Sequence, residues 1–252
     1  MNPQIAFRIP STPRANAGAR TEAGFSPRGE ALTSPFLRWN RMQRSVPRTG
    51  FAQVAGIAAK RCLDIVGATL GLVLLAPLMA LIVLAVRLNS PGPALYRTYR
   101  VGKSGRLFDF YKFRTMVDNA DLLLDHVWEM NEREGILFKT SSDPRVTTVG
   151  RFLRRFSFDE LPQLWNILRG DMSLVGPRPP LLSEYEQFRP DDRRRTSVLP
   201  GLTGLWQVSA RSDPSFERYV RLDCEYVDHW SLWLDLKIIV MTVPAVLRGT
   251  GQ

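Results

Sequence analysis

Ile65–Val86 reads IVGATLGLVLLAPLMALIVLAV, an uncharged run of twenty-two residues in which only Thr69 is strongly polar. At ~1.5 Å per residue such a helix measures ~33 Å, enough to cross a ~30 Å hydrocarbon core. Two features argue against a plain crossing. Pro77 falls near the middle, where it removes a helical hydrogen bond and its ring collides with the preceding turn. Basic residues flank both ends, Lys60 and Arg61 before, then Arg87, Arg97, Arg100, Lys103 and Arg106 after, and the positive-inside bias wants both flanks in the cytoplasm. A helix broken at Pro77 satisfies both constraints, because each leg of about ten to twelve residues reaches only ~15–18 Å and can turn back within one leaflet. A kinked spanning helix and a buried core helix are the competing readings. The expectation is a proline-broken re-entrant membrane helix over 51–88.

Charge separates the two sides of this stretch. The 252 residues carry a formal charge of +10, but residues 1–61 hold ten Arg/Lys against two acids, whereas the remaining 191 hold 24 against 22. The basic excess belongs to an N-terminal arm and not to a groove-binding domain. A near-neutral head would show little of the steep salt dependence of phosphate-backbone binding, so no nucleic-acid partner is expected. Residues 1–50 are rich in Pro, Arg, Ser and Gly without periodicity, the composition of a disordered arm. The arm lacks the apolar core of a secretory signal and should stay cytoplasmic, as a passive tail or as an attachment to anionic lipid. Cys62 and Cys224 form no CxxC, and His126 and His229 sit outside any HExxH or His/Cys cluster. Disulfide frameworks, zinc chemistry and Ser-His-Asp catalysis are therefore disfavoured.

After the exit turn Asn89–Pro93, residues 94–116 read as a strand pair around Gly102-Lys-Ser-Gly105. In the second strand Phe108, Phe110, Lys112 and Arg114 share one face by alternation, so two cations emerge from an aromatic surface. That pattern fits a phosphate grip or an ordinary edge strand. VGKSG is not a P-loop, because the Walker spacing would need glycine where Arg97 stands. Residues 117–134 have the apolar spacing of an amphipathic helix packed on the head.

The densest chemistry lies in Arg151–Arg178, RFLRRFSFDELPQLWNILRGDMSLVGPR. Gly150–Phe156 should be helical, with Arg151, Arg154 and Arg155 on one face. Ser157 or Asp159 would cap the next helix, setting Asp159 and Glu160 at an N-terminus whose field keeps carboxylates ionised. A structural capping pair explains that dyad equally well. The sequel favours chemistry: in Gly176-Pro177-Arg178-Pro179-Pro180 the prolines stiffen the backbone and aim the Arg178 guanidinium for bidentate phosphate binding. Arg189–Arg195, RPDDRRR, reads as a solvated loop. Residues 230–248 alternate tryptophans and leucines with Asp235 and Lys237, which suits an interfacial helix, or a core helix, better than a spanning one.

KRCLD (Lys60–Asp64), the proline-broken apolar segment, YKFRTM (Tyr111–Met116), RRFSFDELPQLWNILRGDMSLVGPRP (Arg154–Pro179), PGLTGLWQV (Pro200–Val208) and WSLWLDLKI (Trp230–Ile238) follow one another in an order that resembles the bacterial sugar transferases, the monotopic phosphoglycosyl transferases. The resemblance covers about residues 58–248 and is nearest to the short, exopolysaccharide-initiating members. One departure is that the family's re-entrant turn often carries Ser-Pro, whereas Ala76-Pro77 stands here.

The resemblance implies an α/β, mostly α, cytoplasmic head (89–252) on the membrane helix, at the cytoplasmic face of the bacterial inner membrane with both termini cytoplasmic. It implies transfer of a sugar-1-phosphate, with a hexose favoured, from a UDP-sugar to undecaprenyl phosphate with release of UMP. Asp159 would be the nucleophile, forming an aspartyl-phosphosugar, and Glu160 a catalytic residue and ligand of Mg2+. Lys112, Arg114, Arg155 and Arg178 would bind substrate phosphates. Gln207 and Arg211 are further candidate substrate contacts for which, as for Asp171, a structural role competes. A second copy of the chain is a candidate partner. The rival reading is a non-catalytic membrane adaptor of the polysaccharide-assembly machinery.

Overall fold

The computed structural model describes residues 50–123, 140, 143–211 and 213–249. Its first helix, α1, runs Gly50–Asn89 without interruption, with Pro77 inside it. From Val54 onward it is long and apolar enough, by length and composition, to cross a membrane. Asp64, Ala68, Ile82 and Val86 are buried, and Leu72, Leu78 and Met79 pack beside them, so one stripe at helical period lies on the rest of the protein. Val66, Leu70, Val73, Leu81 and Leu84 leave an apolar face exposed on the other side.

Helix α1 runs through Pro77, so the break expected there is not shown. A helical proline costs about 3 kcal/mol, and packing on both sides opposes that cost. Before Pro77, Ala68 joins a core with Phe110, Leu164, Ile167 and Met172. After it, Ile82 and Val86 join Ala94, Phe113 and Leu153.

Strands β1 (Leu95–Val101) and β2 (Leu107–Phe113) form the expected antiparallel hairpin, with Tyr96 opposite Lys112 and Arg100 opposite Phe108. The connecting turn places Ser104 at φ 56° and Gly105 at φ 78°. The amphipathic helix expected over 117–134 falls mostly outside the described residues, and Ala120–Leu123, which is described, is a 3-10 turn.

Helix α2 (Thr148–Arg155), a 3-10 turn (Phe158–Glu160) and α3 (Gln163–Arg169) lead to β3 (Ser173–Val175). Strand β3 pairs in parallel with β4 (Gly201–Thr203). The approach is close enough that a Cβ on Gly201 would stand 2.0 Å from the Gly176 nitrogen, which explains glycine on both segments. Between them lie α4 (Leu182–Glu186) and a 3-10 segment, Asp192–Ser197. Helices α5 (Leu205–Ser209), α6 (Phe216–Asp228) and α7 (Leu232–Leu247) complete the described fold.

Burial corrects one sequence expectation and decides between the alternatives of another. The run RPDDRRR is not simply solvated, because Asp192 and Arg195 are buried. Asp235 is also buried, where it accepts from Lys60 Nζ at 2.8 Å, the Tyr226 hydroxyl at 2.8 Å and the Trp230 indole at 3.0 Å. Leu234 and Ile238 of α7 face inward with it, while Trp233, Leu236, Val240 and Val243 are exposed.

Candidate active site

Thr147 caps α2, its Oγ1 accepting the Gly150 N–H at 2.9 Å. A Cβ on Gly150 would stand 1.9 Å from the Thr115 carbonyl oxygen, so the helix start is pressed against the end of the hairpin. Two turns on, Arg154 Nε donates to Thr115 Oγ1 at 3.0 Å, which orients this arginine toward the hairpin. The chain then reverses at Ser157, which is left-handed at φ 56°, and enters the 3-10 turn that carries the dyad. Phe152, Phe156 and Phe158 pack on one another at 5.0 to 6.3 Å and brace that turn.

Neither Ser157 nor Asp159 caps a helix with its side chain, and the expected ionising field at a helix start is outweighed. Asp159 is buried, and burial followed by the neighbouring Glu160 charge pushes its carboxyl up to about 6, against Lys112 and Arg154. Lys112 lies over the Tyr96 ring at 5.3 Å. Burial pulls its ammonium down to about 8, while the Asp159 charge works in the opposite direction. These two groups are therefore electrostatic partners whose titrations approach each other across neutral pH.

On the Glu160 side stand Arg178 and Arg100. Burial opposes the Arg178 charge, but Glu160, Tyr219 and Glu184 prevail and its pKa is raised. Arg100 is lowered by burial and by Arg178, with Glu184 and Glu160 partly compensating. Arg100 Nη1 donates to the Pro179 carbonyl at 3.3 Å, and the Val101 N–H donates to the Pro180 carbonyl at 3.0 Å. The hairpin end is thereby stitched to the Pro177–Pro180 loop. Lys112 and Arg154 thus act electrostatically on Asp159, and Arg178 and Arg100 on Glu160, a concentration of positive charge suited to a polyanionic ligand.

Of the residues singled out in the sequence, Lys112, Asp159, Glu160 and Arg178 are brought into this electrostatic cluster. Arg114 has a different setting: its buried guanidinium donates to the Ser90 carbonyl at 2.7 Å and to those of Pro91 and Gly92, closing the exit turn of α1. Arg155 is exposed and stacks on Phe156 at 5.6 Å. Arg211 Nη1 donates to Ser157 Oγ at 3.1 Å and so touches the turn that presents the dyad. Gln207 is half-buried on α5, its Oε1 without a partner among the described residues. Asp171 pairs with Arg169 at 3.3 Å.

Sequence reasoning did not select Arg100 or assign Arg154 to the site. Alternation could have found Arg100, since Tyr96, Thr98 and Arg100 share the face whose register partner is Lys112. Nothing local distinguishes Arg154 from Arg155.

Among the described residues no group of three or more His, Cys, Asp or Glu could hold a metal ion. Magnesium commonly takes one or two carboxylates and completes its oxygen shell with substrate phosphates and water. The adjacent carboxylates Asp159 and Glu160 are of the number and type such a substrate-completed site takes from a protein.

The family model described as bacterial sugar transferase matches residues 55–249. The chain is similar to galactosyl transferase CpsE of Streptococcus agalactiae serotype III (strain NEM316), 45% identical over 202 residues, which cover 80% of this chain and 45% of that protein. It is similar to the exopolysaccharide production protein ExoY of Rhizobium meliloti (strain 1021), 42% identical over 208 residues, 81% of this chain and 92% of the relative. It is also similar to the UDP-glucose:undecaprenyl-phosphate glucose-1-phosphate transferase of Caulobacter vibrioides (strain ATCC 19089 / CIP 103742 / CB 15), 43% identical over 203 residues, 77% of this chain and 72% of the relative. The match thus spans less than half of the streptococcal protein but most of the rhizobial one.

Proposed function

The chain belongs to the bacterial sugar transferase family, and on that premise we propose that it transfers a hexose-1-phosphate from a UDP-sugar to undecaprenyl phosphate. The observation that carries the proposal is the buried Asp159 beside Glu160, within the electrostatic influence of Lys112, Arg154, Arg100 and Arg178. A nucleoside diphosphate-sugar brings the negative charge this cation-rich cluster lacks.

In the first step an Asp159 carboxylate oxygen attacks the sugar-bearing phosphorus, and the bond to the bridging oxygen breaks as UMP leaves with the electron pair. An aspartyl-phosphosugar results. An oxygen of undecaprenyl phosphate then attacks the same phosphorus, forming the lipid diphosphate-sugar and returning Asp159 as a carboxylate. Lys112 and Arg154 stabilise charge beside the nucleophile, and Arg178 and Arg100 hold the donor phosphates. Mg2+, with Glu160 as its protein ligand, would supply further neutralisation of phosphate charge.

The site belongs at the cytoplasmic face of the bacterial inner membrane, with both ends of α1 on that side. Basic flanks support this, as does the packing of both halves of α1 on one head, since neither end can cross without taking the head along. Galactose and glucose, named in two relatives, are the first sugars to test.

The decisive measurement is UMP release from a panel of UDP-sugars by the chain in lipid nanodiscs, with and without undecaprenyl phosphate. A sugar-labelled adduct should be trapped on the wild type when the lipid acceptor is withheld, and not on Asp159→Asn. Absence of UMP release with every UDP-sugar would instead favour an adaptor role.

A further inference from the structure

The arginines of the RPDDRRR run diverge. Arg193 stacks on Tyr185 and Arg194 reaches Asp228 at 3.1 Å. Arg195 turns inward, and neither its side chain nor that of its ion-pair partner Asp223 has any exposed surface. One nitrogen, Nη2, donates to Asp223, to the Tyr219 hydroxyl and, at 2.8 Å, to the backbone carbonyl of Arg178. The guanidinium plane is held over the Tyr219 ring at 4.2 Å and the Phe188 ring at 5.2 Å, and Trp206 braces Tyr219 at 4.8 Å. Asp223 Oδ1, the carboxylate oxygen that Arg195 does not engage, is buried with no partner among the described residues. The ion pair therefore holds the Arg178 backbone through its carbonyl, while the Glu160 charge raises the pKa of the Arg178 side chain.

Stability alone explains this arrangement poorly. Arg195 Nε and Nη1 are buried with no partner among the described residues. Unmatched buried donors are costly, and a buried ion pair is often no more stable than apolar residues of the same volume. What apolar residues could not do is grip the Arg178 peptide. Prolines on either side restrict that peptide but do not locate it, and the ion pair supplies the location.

We propose that Arg195, with Asp223, is a positioning residue for donor binding, fixing the Arg178 backbone so that its guanidinium meets the phosphates of the UDP-sugar. The inference rests on the assignment of Arg178 to the donor phosphates. Its test is steady-state UMP release by the full chain in nanodiscs, varying separately the UDP-hexose that the wild type uses and undecaprenyl phosphate. Arg195→Lys keeps a cation but loses the planar fork. Its KM for the UDP-hexose should rise about tenfold or more, with the KM for undecaprenyl phosphate within about twofold of wild type. Leu222→Ala, on the same helix as Asp223, serves as a destabilised control and should lower Tm without that rise.

A wild-type donor KM in Arg195→Lys, or an equal rise in Leu222→Ala, overturns the proposal. If Arg195→Lys does not fold, Arg195→Met combined with Asp223→Met removes both charges together. A raised donor KM in that double variant supports positioning, and a wild-type value refutes it. Arg178→Ala separates the two assignments. An unchanged donor KM there removes the premise, whereas a raised one beside a wild-type value in the Arg195 variants removes the positioning role alone.

Discussion

Two polar clusters of the molecule are built on opposite principles. The anchor cluster joins α1 to β3 and α7. Lys60 Nζ donates to Asp235 at 2.8 Å and to the Val175 carbonyl at 2.9 Å, while Asp64 accepts from Ser173 Oγ at 2.9 Å and from the Leu174 N–H at 2.8 Å. The Tyr226 hydroxyl and the Trp230 indole occupy the remaining acceptors of Asp235. Every charged side chain there has hydrogen-bond partners at ordinary distance, Lys60 paired with Asp235 and Asp64 with neutral donors. Around Asp159 the cations outnumber the carboxylates, and Lys112 is held by the face of Tyr96 instead of by an acid at bonding distance. A matched cluster locks structure, whereas a mismatched one has charge left for a ligand.

The largest expected effect tests the mismatched side. Asp159→Asn should reduce UMP release by about three orders of magnitude or more, with little change in Tm, because a nucleophile is lost and no matched pair is broken. Activity in that variant close to wild type would remove Asp159 from the bond-forming role. On the matched side, Asp235→Ala should cost about 3 kcal/mol of stability by leaving Lys60 and two further donors without their acceptor. Thermal unfolding of the purified protein reads this out, and the surviving folded fraction should keep its donor KM.

The pH dependence sharpens the comparison. Asp159 must be ionised to attack, so kcat/KM should rise as pH increases through about 6. Lys112 must be protonated to stabilise charge, so kcat/KM should fall as pH increases through about 8. Lys112→Arg should retain the acid limb and move the basic limb to higher pH, because guanidinium stays protonated there. A basic limb that stays near 8 in this variant would assign it to another group. The smallest effect is expected at the exposed Arg155, where alanine should change activity by less than about threefold while Arg154→Ala lowers it about tenfold or more. Equal losses would place both arginines at the substrate.

Much of this organisation was legible in local pattern. Alternation in LFDFYKF placed Lys112 on an aromatic face, and the hairpin register bears that placement out. The same pattern misplaced Arg114, because β2 ends at Phe113 and the next side chain turns to the carbonyls of the α1 exit turn. Helical spacing grouped Arg151, Arg154 and Arg155, but Thr115, far away in the chain, singles out Arg154. Composition left residues 230–248 open between an interfacial and a core helix. A partner in α1 makes Asp235 a buried anchor, and the exposed tryptophan and leucine face remains beside it.

By itself the sequence determined the apolar helix, the hairpin, the vicinal acids and the proline-flanked arginine, because each is written in neighbours within a turn or two and follows periods of 2 or 3.6 residues. Only the tertiary structure decided which charges are neutralised. Three consecutive arginines, Arg193, Arg194 and Arg195, end on a surface tyrosine, on a surface aspartate and in the core respectively. The physical reason is desolvation. Whether a guanidinium keeps its water or must find fixed partners depends on what packs around it, and Asp223, Tyr219 and the Arg178 carbonyl come from segments that only the fold assembles.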